Sequence, residues 1–190
     1  MTARLFVIAG PSGVGKGTLI ALARESLPEL ALATSATTRP MRPGEVDGRE
    51  YHFLDEADFL RRVEQGEFLE HVTFAGYRYG TLRSEVERRL ARDESVVLEI
   101  DVPGAREIKR QVPGSVLVFV APPDLSHLEQ RLAARGANSP QEIDDRLAIA
   151  REEMAAIDEF QHVITNDDRT RAAAELTDLI RSQLASQETA

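Results

Sequence analysis

Gly10-Pro11-Ser12-Gly13-Val14-Gly15-Lys16-Gly17-Thr18 follows the apolar run Leu5-Phe6-Val7-Ile8-Ala9 and precedes a helix-like stretch that continues to about Leu27. A short, continuous apolar run is the pattern of a strand buried on both faces in a parallel sheet. A glycine-rich turn between such a strand and a helix reads as a phosphate-binding loop. Its glycines let phosphate oxygens approach main-chain N–H groups, and the helix start adds unpaired donors and the positive end of its dipole. Lys16 then places a point charge against the β- and γ-phosphates of a nucleotide. The plainer alternative is a glycine-rich turn without a ligand. Strand, spacing, lysine and helix are all in register, which weighs against it. So does the scarcity of lysine: the chain has 21 arginines and only two lysines, Lys16 and Lys109.

The loop departs from the usual pattern at one position. Ser or Thr commonly follows the lysine and touches Mg²⁺ through its hydroxyl; here Gly17 stands there and Thr18 comes next. Mg²⁺ is therefore expected to be held mainly by nucleotide phosphates and water, as its reluctance to dehydrate allows. Thr18 and Asp101 are the candidate protein ligands, acting through water. Asp101 ends the apolar run Val96-Val97-Leu98-Glu99-Ile100.

Outward from the loop, Val96–Ile100, Val116-Leu117-Val118-Phe119-Val120 and the weaker His162-Val163-Ile164-Thr165 read as further strands. Helical patterns lie between them. Leu125, Leu128 and Leu132 share a stripe; Ser139-Pro140-Gln141-Glu142 is a capping box with proline at the first helical position. The helix it opens carries Ile143, Leu147, Ala150, Met154 and Ile157, and a last helix aligns Leu176, Leu179, Ile180 and Leu184. Strands alternating with helices predict an α/β fold with a mostly parallel sheet. The run Glu85-Val86-Glu87-Arg88-Arg89 reads as an exposed helix face with paired charges.

Residues 34–82 break the alternation. Thr34 to Glu50 is rich in Thr, Arg, Pro and Gly; Glu50 to Leu54 and Glu67 to Tyr79 look like short strands around a helix from about Asp55 to Gln65. A small mixed insertion fits this stretch.

The whole chain has 190 residues and a formal charge of −9, which suits one domain with an inserted lobe. Its acidic balance argues against a protein that binds nucleic acid through a broad basic face. With no cysteine, a disulfide scaffold, a thiolate metal site and a cysteine nucleophile are all excluded. The four histidines show no ligand spacing and read as structural. No segment approaches the ~20 apolar residues of a membrane span. No signal peptide is read at the start, and the expected location is the cytoplasm. A homo-oligomer is possible but not predicted, since no exposed apolar seam points to one.

More specific than the loop is Ser35-Ala36-Thr37-Thr38-Arg39-Pro40-Met41-Arg42-Pro43-Gly44-Glu45, continued by Gly48-Arg49-Glu50-Tyr51-His52-Phe53. Phe68-Leu69-Glu70, Tyr77-Arg78-Tyr79-Gly80-Thr81, Leu98-Glu99-Ile100-Asp101, Arg131 to Gly136 and Asn166-Asp167-Asp168 follow in order. With these motifs, spread over roughly residues 4 to 182, the chain resembles the guanylate kinases. The resemblance implies a phosphate-loop nucleoside-monophosphate-kinase fold in which helices flank a parallel core sheet. The core would be residues 1–33, 83–123 and 151–190, with a GMP-binding lobe at 34–82 and a helical lid at 124–150. It also implies the reaction ATP + GMP ⇌ ADP + GDP with Mg²⁺, and dGMP as a further acceptor, in purine nucleotide metabolism and GMP recycling.

Residue by residue, the resemblance implies that Ser35, Glu70 and Glu99 contact guanine, and that Arg39, Arg42, Tyr51 and Tyr79 contact the GMP phosphate, with Thr81 in the same lobe. Arg131, Arg135 and Arg146 match arginines that close over the transferring phosphoryl group, and Asn166 falls near the adenine end of the ATP site. Glu99 is often Asp in relatives, and Pro103 stands where Gln is frequent. The residue types suit the chemistry: phosphoryl transfer gathers several negative charges and needs arginines from more than one direction. Arg39 and Arg42 sit in a loop stiffened by Pro40 and Pro43, while Tyr51 and Tyr79 add neutral donors. Arg131 and Arg135, four apart, share one helix face. Two alternatives stay open, a non-catalytic scaffold and a kinase for another nucleoside monophosphate or a sugar bisphosphate. Lys16 and the lid arginines weigh against the first, the Ser35–Glu45 block and Glu70 against the second.

Overall fold

Strand β1 (Leu5–Ala9) is buried along its whole length. A computed structural model, describing residues 3–134 and 140–186, places it at the centre of a five-stranded parallel sheet. The order is β2 (Ala31–Leu32), β7 (Val96–Glu99), β1, β8 (Val116–Ala121) and β9 (His162–Thr165). Side chains alternate across the sheet as the strand repeat requires. Phe6 and Ile8 enter one core with α1 (Lys16–Ser26), α5 (Leu125–Ala134), α6 (Pro140–Met154) and α7 (Arg169–Ala185). Leu5, Val7 and Ala9 enter the other with α3 (Arg83–Leu90) and α4 (Val102–Gln111). Burying a side chain such as Phe6 or Ile8 contributes about 1.5–3 kcal/mol, so two covered faces hold the central strand firmly.

The expected strands are present; Ile100 lies just past the end of β7. The edge strand β2 was not expected. With two residues it is too short to show a periodicity, and only its pairing with Val96 and Val97 defines it. Helix α6 opens at Pro140, as the capping pattern predicts for that proline, while Ser139 lies outside the described residues. This helix continues unbroken through residue 150, so the segment expected to be a lid joins the core through a helix.

The insertion is a four-stranded mixed sheet, ordered β4 (His52–Phe53), β3 (Ala36–Thr37), β6 (Tyr77–Leu82) and β5 (Phe68–Phe74), with α2 (Glu56–Glu64) against it. Asp55 caps α2 by accepting from the Asp58 N–H at 2.7 Å. Phe59 stacks on Phe68 at 4.4 Å and, with Ala36 and Leu82, gives this sheet a small core of its own.

One surface expectation fails. Glu85, read as part of an exposed helix face, is buried in the first turn of α3. Arg88 and Arg89 fold over its carboxylate and donate to it at 2.7–2.9 Å. The charge pairing is as expected; its burial reflects how closely α3 sits on the core. No helix among the described residues is long and apolar enough to cross a membrane.

Because β1 lies between β7 and β8, the loops at the carboxyl ends of these strands diverge at a topological switch point, where α/β sheets bind ligands.

Candidate active site

The loop Gly10–Gly15 leaves β1 at that switch point and passes into α1 at Lys16. Gly10 has φ 136°, and a β-carbon there would stand 2.2 Å from the Val120 carbonyl oxygen, so the loop can lie this close to β8 only without a side chain. Lys16 Nζ donates to the carbonyl oxygens of Gly10 at 2.6 Å and Pro11 at 3.2 Å. Its ammonium is thereby folded back across the loop.

Two sequence-predicted residues brace the loop through the Val14 carbonyl. Arg131 Nη1 and Asn166 Nδ2 both donate to the Val14 carbonyl, at 3.0 and 2.7 Å, and Arg131 Nη2 donates to the Asn166 carbonyl at 2.8 Å. Asn166 follows β9 and its own N–H donates to Ala121 O at 2.8 Å, so the end of the sheet sets its position. Its Oδ1 is buried without a partner among the described residues. Arg146 on α6 is placed elsewhere, its Cζ 5.9 Å from the ring centroid of Phe74 at the end of β5. Arg135 lies outside the described residues.

The insertion holds a second group of the sequence-predicted residues. Arg39 is buried, and its guanidinium donates in a fork to Glu45 at 2.8 and 3.0 Å, with Tyr51 5.4 Å below it. Glu45 also accepts from the Arg42 N–H at 2.7 Å, tying the loop between the two arginines together; the Arg42 side chain is exposed. Tyr51 and Tyr79 meet edge to face at 6.0 Å. Burial, helped by the neighbouring Tyr79, pushes the Tyr51 hydroxyl above its usual range, so it remains a neutral donor.

Glu70, on β5, is only 5% exposed and accepts from the Thr81 hydroxyl of β6 at 2.7 Å. Burial pushes its carboxyl up to about 7, while the Thr81 hydrogen bond pulls it down and the Asp101 charge pushes it further up. Ser35, Tyr51, Glu70, Tyr79, Lys16, Thr18 and Glu99 all line one cleft of ≈ 540 Å³.

Of the two carboxylates at the end of β7, Glu99 closes the strand and Asp101 follows it as the cap of α4. Glu99, expected at guanine, reaches the phosphate loop: a β-carbon on Gly17 would stand 2.9 Å from its Oε2. Asp101, expected beside the metal, accepts from the Gly104 N–H at 2.7 Å as the cap of α4. A β-carbon on Gly104 would be 2.9 Å from Asp101 Oδ1 and 3.1 Å from Glu70 Oε2, so Asp101 and Glu70 flank the same glycine. The reason is local. The start of α4 draws Asp101 into its cap, away from α1, while Glu99 still projects from the strand end.

Sequence reasoning missed Glu153, a buried carboxylate on α6 that lines the cleft with Lys16. Its signal was available: it lies one turn from Ala150 on the apolar stripe of that helix, where a charge is out of place. It also passed over Glu45 as the partner of Arg39, since a loop contact leaves no periodicity to read.

A glycine-rich loop with its lysine at a switch point, sharing one cleft with an inserted lobe, is the layout of the phosphate-loop nucleoside monophosphate kinases. Comparison with known proteins agrees with that class and narrows it. The family model described as guanylate kinase matches residues 2–183. A guanylate kinase of Frankia casuarinae is 51% identical over 176 residues, covering 93% of this chain and 96% of that protein. One of Thermobifida fusca is 49% identical over 177 residues, covering 93% of this chain and 90% of that protein. The crystal structure of guanylate kinase from Anaplasma phagocytophilum superposes with a TM-score of 0.76 at 27% identity, covering 96% of this chain and 86% of that one. The chain belongs to the guanylate kinase family.

Proposed function

We propose that this cleft transfers the γ-phosphoryl group of ATP to GMP, releasing ADP and GDP, with the division of labour that follows. The buried Glu70, set opposite the Lys16 loop in one cleft, carries the reading. Guanine presents N1–H and the 2-amino group side by side, and an ionised Glu70 accepts from both. Asp101, beside Glu70, takes the remaining amino hydrogen, and Ser35 donates to the 6-oxo oxygen. Adenine offers an acceptor at N1 and no 2-amino group, which leaves the carboxylate without partners. Arg39, Arg42, Tyr51 and Tyr79 hold the GMP phosphate, an oxygen of which attacks the γ-phosphorus as its bond to the β–γ bridging oxygen breaks. The contacts are to base and phosphate, so dGMP serves as well.

On the ATP side, the loop N–H groups and Lys16 take the β- and γ-phosphates, and the orphaned Asn166 Oδ1 faces the adenine end. Arg131 braces the loop and, with Arg135 and Arg146 in a lid at 124–150, gathers over the transferring group. Little covalent work is left to the protein; positioning and charge stabilisation do most of it. Among the described residues no three His, Cys, Asp or Glu side chains gather to hold a metal alone. The oxygen donors Glu99 and Thr18 on one wall of the cleft fit the remainder of a Mg²⁺ shell whose other members are phosphate oxygens and water. Bound there, Mg²⁺ neutralises charge on the β- and γ-phosphates. The two nucleotides are the partners, and the cytoplasm is the place of action.

A turnover panel with ATP and GMP, dGMP, AMP, UMP or ribose 1,5-bisphosphate tests the reading. Turnover confined to GMP and dGMP is expected; a preference for any other acceptor, or none at all, overturns it.

A further inference from the structure

Gly104 is the third residue of α4, is buried, and takes no positive φ. Any residue but proline could supply the N–H that it donates to Asp101 Oδ1 at 2.7 Å. Alanine favours a helix over glycine, so this glycine gives up helix stability without a backbone reason. What it provides instead is room. A β-carbon there would stand 2.9 Å from Asp101 Oδ1 and 3.1 Å from Glu70 Oε2, both inside van der Waals contact.

The surroundings decide what would yield to such a side chain. The helix is held: Val102, Ala105 and Ile108 of α4 share one buried cluster with Leu69, the neighbour of Glu70 on β5. At the other end of α4, Gln111 Nε2 donates to the Leu69 carbonyl at 2.7 Å. Glu70 has a fixed side as well, since its Oε1 accepts from the Thr81 hydroxyl at 2.7 Å. What is left to give way is the carboxylate ends, Glu70 Oε2 and Asp101 Oδ1. One belongs to the inserted lobe and the other to the core, so the two parts of the base site meet at Gly104.

We infer that Gly104 is a positioning residue for base recognition: its missing side chain lets Glu70 and Asp101 stand together as one double acceptor for the N1–H and 2-amino edge of guanine. The inference rests on the proposed roles of those two carboxylates at the base. A methyl group at Gly104 displaces one or both of them. The loss falls most heavily on the 2-amino group, which both carboxylates hold. Hypoxanthine, which has the N1–H and the 6-oxo oxygen but no 2-amino group, loses less.

The test uses the full chain with G104A and, in parallel, E70Q, E70D and G104A/E70D, with GMP and inosine 5′-monophosphate as acceptors. We expect G104A to narrow the preference for GMP over inosine monophosphate by about tenfold, the scale of losing one hydrogen bond to a charged group. The GMP KM should rise by a similar factor while the ATP KM stays within about twofold. The melting midpoint should be unchanged or higher, because alanine suits the helix better. In E70D, whose carboxylate is one methylene shorter, adding G104A should cost GMP use less than it does in the wild type. A G104A protein with the wild-type preference between the two acceptors overturns the inference. So do equal losses with GMP, inosine monophosphate and ATP, a G104A chain that does not fold, or fully multiplicative losses in the double variant. If E70Q keeps the preference for GMP, the guanine-site reading falls and takes this inference with it; if E70Q loses it and G104A does not, only the inference falls.

Discussion

A β-carbon on Gly17 would stand 2.9 Å from Glu99 Oε2 and 3.4 Å from Oε1, so the carboxylate of Glu99 occupies the space where the residue after the loop lysine would place a side chain. G17S should therefore displace Glu99 and lower kcat/KM for ATP by about tenfold or more, while E99D, one methylene shorter, should tolerate the added hydroxyl. In a double-mutant cycle the two substitutions should couple by about 1 kcal/mol or more, with the double variant recovering activity relative to G17S. Purely additive losses would mean that the contact does not govern the site.

Glu70 gives the site a pH dependence whose sign follows from its burial. Its carboxyl is raised from 4.5 to about 7, and only the ionised form accepts from guanine. GMP affinity should fall about tenfold between pH 8 and pH 6 through this group, and E70Q should lose that component while binding GMP ten- to a thousandfold more weakly. Comparing the two proteins removes the titration common to both, that of the GMP phosphate. Stability of the free protein runs the other way. Between pH 4.5 and 7 the unfolded chain has lost the Glu70 proton while the folded chain keeps it, so stability falls as pH rises, by about 3 kcal/mol at most. Thermal melting of E70Q should show a flatter decline across this window. A wild-type GMP affinity that is flat after correction for the phosphate would remove Glu70 from the base site.

Lys16 is the loop's fixed charge. K16M should keep its circular-dichroism spectrum and lose turnover by about a hundredfold or more, the scale of losing one key electrostatic contact. The donations to Gly10 and Pro11 vanish with it, so a modest drop in melting temperature is expected alongside. Near-normal turnover in the folded variant would sink the assignment of the loop.

Glu45 holds Arg39 through both carboxylate oxygens and the Arg42 N–H through one of them. E45Q should leave the ATP KM within about twofold and raise the GMP KM by about tenfold, because the guanidinium loses its fixed aim rather than its charge. Initial-rate kinetics with each substrate varied will show this. Equal damage to both KM values would instead indicate a general loss of folding.

The phosphate loop was legible because its chemistry is local. Strand, glycines, lysine and helix start lie within one short stretch, and the backbone geometry they require is set by neighbours in the chain. The parallel sheet was legible for a similar reason: Leu5–Ala9, Val96–Ile100 and Val116–Val120 are too continuously apolar to face water on either side. Arg39, Tyr51, Glu70 and Tyr79 were named from motifs; the tertiary structure brings Tyr51, Glu70 and Tyr79 to one cleft and sets Arg39 over the Tyr51 ring.

What the linear chain did not contain is which backbone each side chain meets. Glu99 and Asp101 are two residues apart and chemically alike; their order at the site was decided by α4, whose first turn captures Asp101 and leaves Glu99 to Gly17. Asn166 and Arg131 converge on the Val14 carbonyl only because β9 and α5 end beside the loop. Glu153 came into view only when the end of α6 was set at the wall of the cleft, and the burial of Glu85 only when α3 was set on the core. The sequence alone determined the loop, the longer core strands and the set of charged groups, since these follow from short-range periodicity and residue type. The tertiary structure decided their pairing, because a charge's partner and its burial depend on contacts between segments that are distant in the chain.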